Sequence, residues 1–208
     1  MMKISKIQKQ KKENRYNIFL DEEFAFGIYK DTVLKFGLRT KDELSEEKIN
    51  EIKNYDEYFA GKRIALRFLS YRQRSEKEVR DKLKVKGIST GNIDKIITSL
   101  SELNFINDEQ FAKLFLESFL TKKPMGRRLI SMKLLEKGIK KEVVENVLTD
   151  YYNEDKESEK CDELLKKYVK KVKSKNEIEK KRKCYQYLLS RGFENEIVRE
   201  TISSHFMH

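Results

Sequence analysis

Histidine, cysteine and proline are scarce in this sequence, and each scarcity removes a class of function. The two histidines, His205 and His208, stand at the extreme C-terminus, so no catalytic constellation can be assembled around them. HExxH, GxSxG, GxGxxG and P-loop motifs are absent. Acidic residues are plentiful, but they alternate with lysines or fall in turns and helix starts, as Asp21-Glu22 and Asp42-Glu43 do. A divalent-metal nuclease would group its acids inside an apolar pocket. The sequence therefore predicts no catalysis, no cofactor and no metal. Cys161 and Cys184 lie 23 residues apart without a CxxC motif, which predicts reduced, partly buried thiols in a cytosolic protein. No apolar stretch approaches the ~18 residues of a membrane span, and the basic start MMKISKIQKQKK lacks the apolar run of a signal peptide. A soluble, cytoplasmic monomer is the expectation.

What is present favours helices. One proline (Pro124), eight glycines and abundant Lys, Glu and Leu point that way. Hydrophobic content of 38% beside charged content of 39% suits amphipathic helices that each keep one wet face. The net charge of +11 is spread unevenly. Residues 1–16 carry six basic groups against one acid, 122–141 eight against one, and 166–183 ten against two, whereas 41–57 carry three against seven. Such asymmetry points to a polyanionic partner, either nucleic acid or an acidic protein groove.

Strand character appears only near the start. Tyr16–Leu20 and Phe24–Ile28 are aromatic and β-branched runs joined by Asp21-Glu22-Glu23, which predicts a hairpin. Asp31–Phe36 reads as a helical turn stopped by Gly37, and Ser45 before Glu46-Glu47 as a helix start. Beyond it the pattern is helical and repeats. Lys86-Gly87-Ile88, Lys137-Gly138-Ile139 and Arg191-Gly192-Phe193 each follow a leucine (Leu83, Leu134, Leu188) four residues before the glycine. After each glycine, the positions at +6, +10 and +13 mark one helix face: Ile93, Ile97, Leu100; Val144, Leu148, Tyr151; Val198, Ile202, His205. Ala65/Leu69, Ala112/Leu116 and Cys161/Leu165 open each unit at i, i+4.

Each unit thus reads as helix, helix, glycine stop, helix, with glycine at the left-handed C′ position and a basic residue at the C-terminal dipole. Capping boxes at Ser75–Glu78 and Asn107–Gln110, and Pro124 before the next helix, agree with this division; the third unit shows no clear cap, leaving Lys170–Lys183 as a frayed or longer loop. The fold class expected is mainly α: three tandem three-helix repeats (59–107, 108–153, 154–208) in an elongated curved array, after an N-terminal hairpin and helical lead-in (1–58).

These residues carry a family resemblance. Arg72-Gln73-Arg74-Ser75-Glu76-Lys77-Glu78 followed by Leu83 and Lys86-Gly87 resembles a characteristic segment of the RecX regulatory proteins, with Val79 where that pattern has leucine. Leu103–Ala112 and Lys123-Pro124-Met125-Gly126 with Leu134 and Lys137-Gly138-Ile139 are similar to two further segments of the family, and the aromatic hairpin to that of its longer members. The third repeat departs most, with Arg191 and Phe193 in its triplet. The resemblance implies a non-enzymatic regulator of the RecA recombinase, docking along the RecA–DNA filament and restraining its ATPase, strand-exchange and coprotease functions in DNA repair.

Candidate contact residues combine positive charge with expected exposure. Arg72 and Arg74 flank the cap at Ser75, where helix-end charge and partner contact weigh about equally. Lys122, Lys123, Arg127 and Arg128 surround Pro124 at a helix start, where cations oppose the dipole, which tilts the reading toward binding. Lys166, Lys167, Lys170, Lys171 and Lys173 serve either to solubilise a helix or to meet phosphates without sequence preference. Phe111, Phe115 and Phe119 read as a core stripe, and Tyr151-Tyr152 as core and rim. The alternative is direct duplex binding through helix-turn-helix-like units. It is disfavoured because Ser89, Thr90 and Asn92 before the third helix of unit one give way to Lys140-Lys141 and Glu194-Asn195-Glu196 in the others.

Overall fold

The computed structural model describes residues 1–11, 14–122 and 124–207. They form two compact units, Met1–Gln73 with Glu78–Ile106 and Arg74–Lys77 with Asn107–His208.

The N-terminal region is a four-stranded antiparallel sheet of order β3-β2-β1-β4, built from β1 (Met2–Lys9), β2 (Arg15–Leu20), β3 (Glu23–Tyr29) and β4 (Glu43–Leu44). The β2–β3 hairpin turns at Asp21 and Glu22, both left-handed (φ 47° and 74°), as a tight two-residue turn requires. Its first carboxylate accepts the Lys3 N–H at 3.0 Å. The sequence gives no hint of β1, which reads there as a basic run. A bulge explains why. Ile4 and Ile7 are three apart and would face opposite sides of a regular strand, but the register slips between Ile4 and Lys6. Ile4 is fully buried and Ile7 packs against the same core of Ile18, Leu20, Phe26 and Ile28.

Helix α1 (Lys30–Phe36) stops at Gly37 (φ 59°). Helix α2 (Glu46–Leu69) is capped by Ser45, whose hydroxyl accepts the Lys48 N–H at 3.1 Å. At 24 residues it is about 36 Å long and serves two cores. Ile49 and Ile52 lie under the sheet, while Ala65 joins Val79, Leu83, Ile93, Ile96 and Leu100 in the first repeat. The boundary expected at residue 58 thus falls inside one continuous helix.

The repeats are α2–α3 (Glu76–Val85)–α4 (Thr90–Glu102), α5 (Asp108–Lys122)–α6 (Arg127–Glu136)–α7 (Lys141–Tyr151), and α8 (Glu154–Val169)–α9 (Glu177–Ser190)–α10 (Asn195–Phe206). Each keeps its own apolar core. All three glycine turns are Schellman motifs. Gly87, Gly138 and Gly192 have φ of 77°, 81° and 82°. Each glycine N–H donates to the carbonyl three residues back at 2.9 Å, and the following apolar residue donates to the repeat leucine: Ile88 to Leu83, Ile139 to Leu134, Phe193 to Leu188. That bond brings the apolar side chain over the leucine, which is why the triplet and its leucine recur together.

Two local expectations need correction. The +13 positions of the second and third units leave the core: Tyr151 is exposed and His205 half-buried. Helix α7 ends at Tyr151, and Tyr152 (φ −141°, ψ 66°) leaves the helical conformation and turns inward to full burial instead. The third unit also has its cap. Asn176 accepts the Glu179 N–H at 2.8 Å, so the connection from Lys170 is a defined loop followed by α9. Phe111 is buried, with Phe115 and Phe119 packed beside it, as the stripe predicts.

Candidate functional site

The basic cluster around Pro124 begins with local chemistry and ends as a seat between the second and third repeats. Gly126 ends an extended stretch before α6 with φ −74°, so it is glycine for want of room and not for conformation. A Cβ there would strike the Gly192 carbonyl and the Phe193 backbone. The Gly126 N–H donates to the Arg191 carbonyl at 2.9 Å, and the Arg128 N–H to the Gly192 carbonyl at 3.1 Å. The Arg191 side chain returns a bond to the Pro124 carbonyl at 2.9 Å. The start of α6 therefore sits on the third glycine turn.

The start of α3 sits on the second turn in the same manner. Ser75 Oγ donates to the Lys137 carbonyl and Lys77 Nζ to the Glu136 carbonyl, both at 2.8 Å. In each seat an acid from the next first helix takes the free N–H of the seated helix. Asp108 Oδ1 accepts from Glu76 at 2.8 Å, and Glu157 Oε1 from Arg127 at 2.9 Å. Burial pushes both carboxyls above their usual range. The sequence held a signal for them. Asp108-Ala112-Leu116 and Glu157-Cys161-Leu165 share i, i+4, i+8 spacing; the corresponding position before Ala65 is Gly61.

Arg127 has an occupation that the sequence reading did not assign. Its guanidinium donates to the carbonyls of Tyr152 at 2.8 Å and Leu148 at 3.4 Å, capping the end of α7, and it is half-buried. Opposition to the α6 dipole is offset by attraction to the α7 C-terminus. The surroundings are also acidic: a recess of about 550 Å³ beside it is lined by Glu154, Glu157, Glu194 and Glu196. Arg128, the next residue, is exposed. It borders a shallow cleft of about 470 Å³ with Met132 and Leu135, which are 48% and 44% exposed. Charge and apolar surface together suit a protein partner.

The other candidates are dispersed. Arg72 is exposed and pairs with Glu78 at 3.1 Å, while Arg74 is half-buried. Lys122 is the last residue of α5, and Lys123 lies outside the described residues. Lys166 pairs with Asp162 at 2.6 Å, and Lys167, Lys170, Lys171 and Lys173 are exposed around the C-terminal end of α8, where the dipole favours cations. Among the described residues no group of three or more His, Cys, Asp or Glu side chains could hold a metal, and no helix is long and apolar enough to cross a membrane. Both cysteines are free and fully buried, and burial pushes the Cys161 thiol up to about 11.

The polar side chains that a duplex reader would need are engaged within the first repeat. Ser89 Oγ donates to Glu57, and Asn92 Nδ2 to Glu57 and, at 2.8 Å, to Asn54 Oδ1. Asn195 of the third repeat accepts from the Tyr185 hydroxyl.

Four domain models tile the chain: "Regulatory protein RecX N-terminal domain" over residues 2–45, and the first, second and third RecX three-helix domains over 62–100, 107–148 and 154–202. The chain is 38% identical to a regulatory protein RecX of Clostridium beijerinckii over 97% of its own length and 95% of the relative's. It is 34% identical to that of Caldanaerobacter subterraneus over 97% and 99%. A crystal structure of a regulatory protein RecX superposes with a TM-score of 0.76 at 28% identity, covering 98% of this chain and all of the other. RecX from Lactobacillus salivarius gives 0.67 at 31%, over 72% of this chain and 97% of the other.

Proposed function

This chain belongs to the RecX family of regulatory proteins, and on that premise we propose that it binds the RecA–DNA filament in the cytosol and restrains it without chemistry of its own. The observation that carries the reading is the exposed face of α6. Arg128, Met132 and Leu135 offer a cation beside uncovered apolar surface on a helix whose start is fixed by the third glycine turn. The exposed lysines Lys167, Lys170, Lys171 and Lys173 supply a second, purely electrostatic contact suited to phosphates. Arg72, Arg74, Lys122 and Lys123 remain candidate contacts. Arg127 contributes by holding α6 and α7 together beside that cleft.

Direct sequence-specific duplex binding is the weaker reading, because Ser89, Asn92 and Asn195 are already hydrogen-bonded to protein groups. The test is RecA-driven, single-strand-dependent ATP hydrolysis with substoichiometric protein. The rate is expected to fall. Arg128→Glu should weaken that inhibition severalfold with helical content and melting temperature unchanged. An untouched hydrolysis rate, combined with tight sequence-preferring duplex binding, would remove the regulator reading.

A further inference from the structure

The N-terminal sheet packs one face on α2 and turns the other outward, and the function proposed above makes no use of that second face. Side chains directly opposite one another in an antiparallel ladder share a face, so the strand pairings sort the outer side into three rows. Lys6, Phe19 and Phe24 form the first row; Gln8, Asn17 and Gly27 form the second; Arg15 and Tyr29 form the third. Phe24 and Phe26 are two apart and would share a face of a regular strand. A slip in register between Ile18 and Phe19 parts them, so that Phe26 enters the core at 8% exposure and Phe24 stands outside at 59%. Each outer row sets a cation against an aromatic ring. Lys6 Nζ lies 5.6 Å from the centre of the Phe19 ring, and the Arg15 guanidinium 4.6 Å from that of Tyr29. Exposed Arg63 of α2 reaches the same tyrosine ring at 5.0 Å. The middle row is amide and low: Gln10 Nε2 donates to Asn17 Oδ1 at 2.5 Å, and a Cβ on Gly27 would strike that nitrogen. None of the three rows holds an acid, and β1 belongs to the stretch 1–16, with six basic groups against one acid.

We infer that this sheet face binds single-stranded nucleic acid, with a base stacked on Phe24 and phosphates held by Lys6, Arg15 and Arg63. The cations fix the sign of the occupant, and the exposed ring fixes its form. Bases in a duplex are closed to an aromatic side chain by their neighbours, whereas an unpaired strand offers a base face together with a charged backbone. Phe19 and Arg15 are four residues apart on β2, so the first and third rows lie about 13 Å apart. An extended strand laid across them meets ring, amides and guanidinium in turn. The amides of the middle row both donate and accept, which suits base edges without demanding one base. An acidic peptide would also meet the cations, but a ring on an open sheet face gives its side chains no pocket to fill. The inference does not rest on the filament reading, since the strand is bound by the sheet alone.

Fluorescence anisotropy of a labelled thymidine oligomer, titrated with the full chain in the absence of any recombinase, tests it. The single strand should bind more tightly than a duplex of the same length, and a uridine oligomer should bind comparably, because neither a ring nor a point charge reads the sugar. Phe24→Ala should weaken binding about tenfold, the effect of losing one stacked base, with circular dichroism unchanged. Lys6→Gln with Arg63→Gln should weaken it severalfold and make it less sensitive to salt. The chain has no tryptophan, so Phe24→Trp supplies a signal of its own: binding should persist, and the indole emission should be quenched as oligomer is added. A chain that binds no single strand, or prefers duplex, overturns the inference. So does a Phe24→Ala variant that binds like the wild type, or indole emission that stays constant while anisotropy rises, since either places the contact elsewhere on the chain. Displacement of the oligomer by polyglutamate at equal charge would assign the face to acidic proteins instead.

Discussion

The turns at Gly87 and Gly192 have the same hydrogen bonds and nearly the same φ, and they differ in every neighbour. Around Gly192 the start of α6 presses in, and a Cβ would collide with the backbone and Cβ of Leu129. Around Gly87 there is open space among the described residues. The comparison separates two demands for glycine that a sequence motif conflates. One is conformational, common to all three turns, and set by the left-handed backbone. The other is steric, and arises only where another helix must approach.

Substitution to alanine at the four relevant positions should resolve these demands. Gly126→Ala and Gly192→Ala carry the largest expected cost, about 3 kcal/mol or more by chemical denaturation, since rigid backbone leaves the added methyl no room. Should Gly192→Ala cost no more than Gly87→Ala, the seat described for α6 is not a tight one. Gly138→Ala falls between, because the obstruction is the Lys77 side chain, with Cβ at 2.7 Å. Gly87→Ala should cost only the left-handed penalty of about 1 kcal/mol. A markedly larger loss there would mean the first turn is covered in solution.

The smallest effects concern the acids and should differ in sign. Glu157 has its folded-state carboxyl raised by burial, so the folded state binds protons more readily than the unfolded state. Stability then falls as pH rises through and above the ordinary carboxylate range. Glu157→Gln keeps an acceptor for the Arg127 N–H and removes that dependence, so its melting temperature should gain on the wild type from acid toward neutral pH. Burial also acts on Glu57, but hydrogen bonds from Ser89 and Asn92 outweigh it and hold the carboxyl below its usual value. Glu57→Gln should therefore lose stability at neutral pH and approach the wild type as pH falls. Parallel curves for the two variants would contradict the environments described for the two acids.

What could be read beforehand was what is local. The Schellman turns bond within six residues, so Leu83, Gly87 and Ile88 announce them without help from the rest of the fold. The cap at Ser45 and the stop at Gly37 belong to the same class. Features set by distant partners stayed hidden. Strand β1 was masked by its bulge, and Tyr152 entered the core only because α7 ends one residue before it. The site was less legible than the fold. Arg127 and Arg128 are indistinguishable in sequence, and only the position of the Tyr152 carbonyl assigns one to structure and leaves the other on the surface. Arg127 was attractive as a contact because a cation opposes the α6 dipole; the compensating helix end lies 25 residues away in the chain.

The two buried thiols turn the third repeat into its own reporter. Cys161 and Cys184 contribute to the core beside Leu165, Leu188 and Phe193, and both are raised away from the reactive thiolate by burial. An alkylating reagent can reach them only when that core opens. Labelling rates in the native chain would therefore time the breathing of one repeat, with no probe added and no residue replaced.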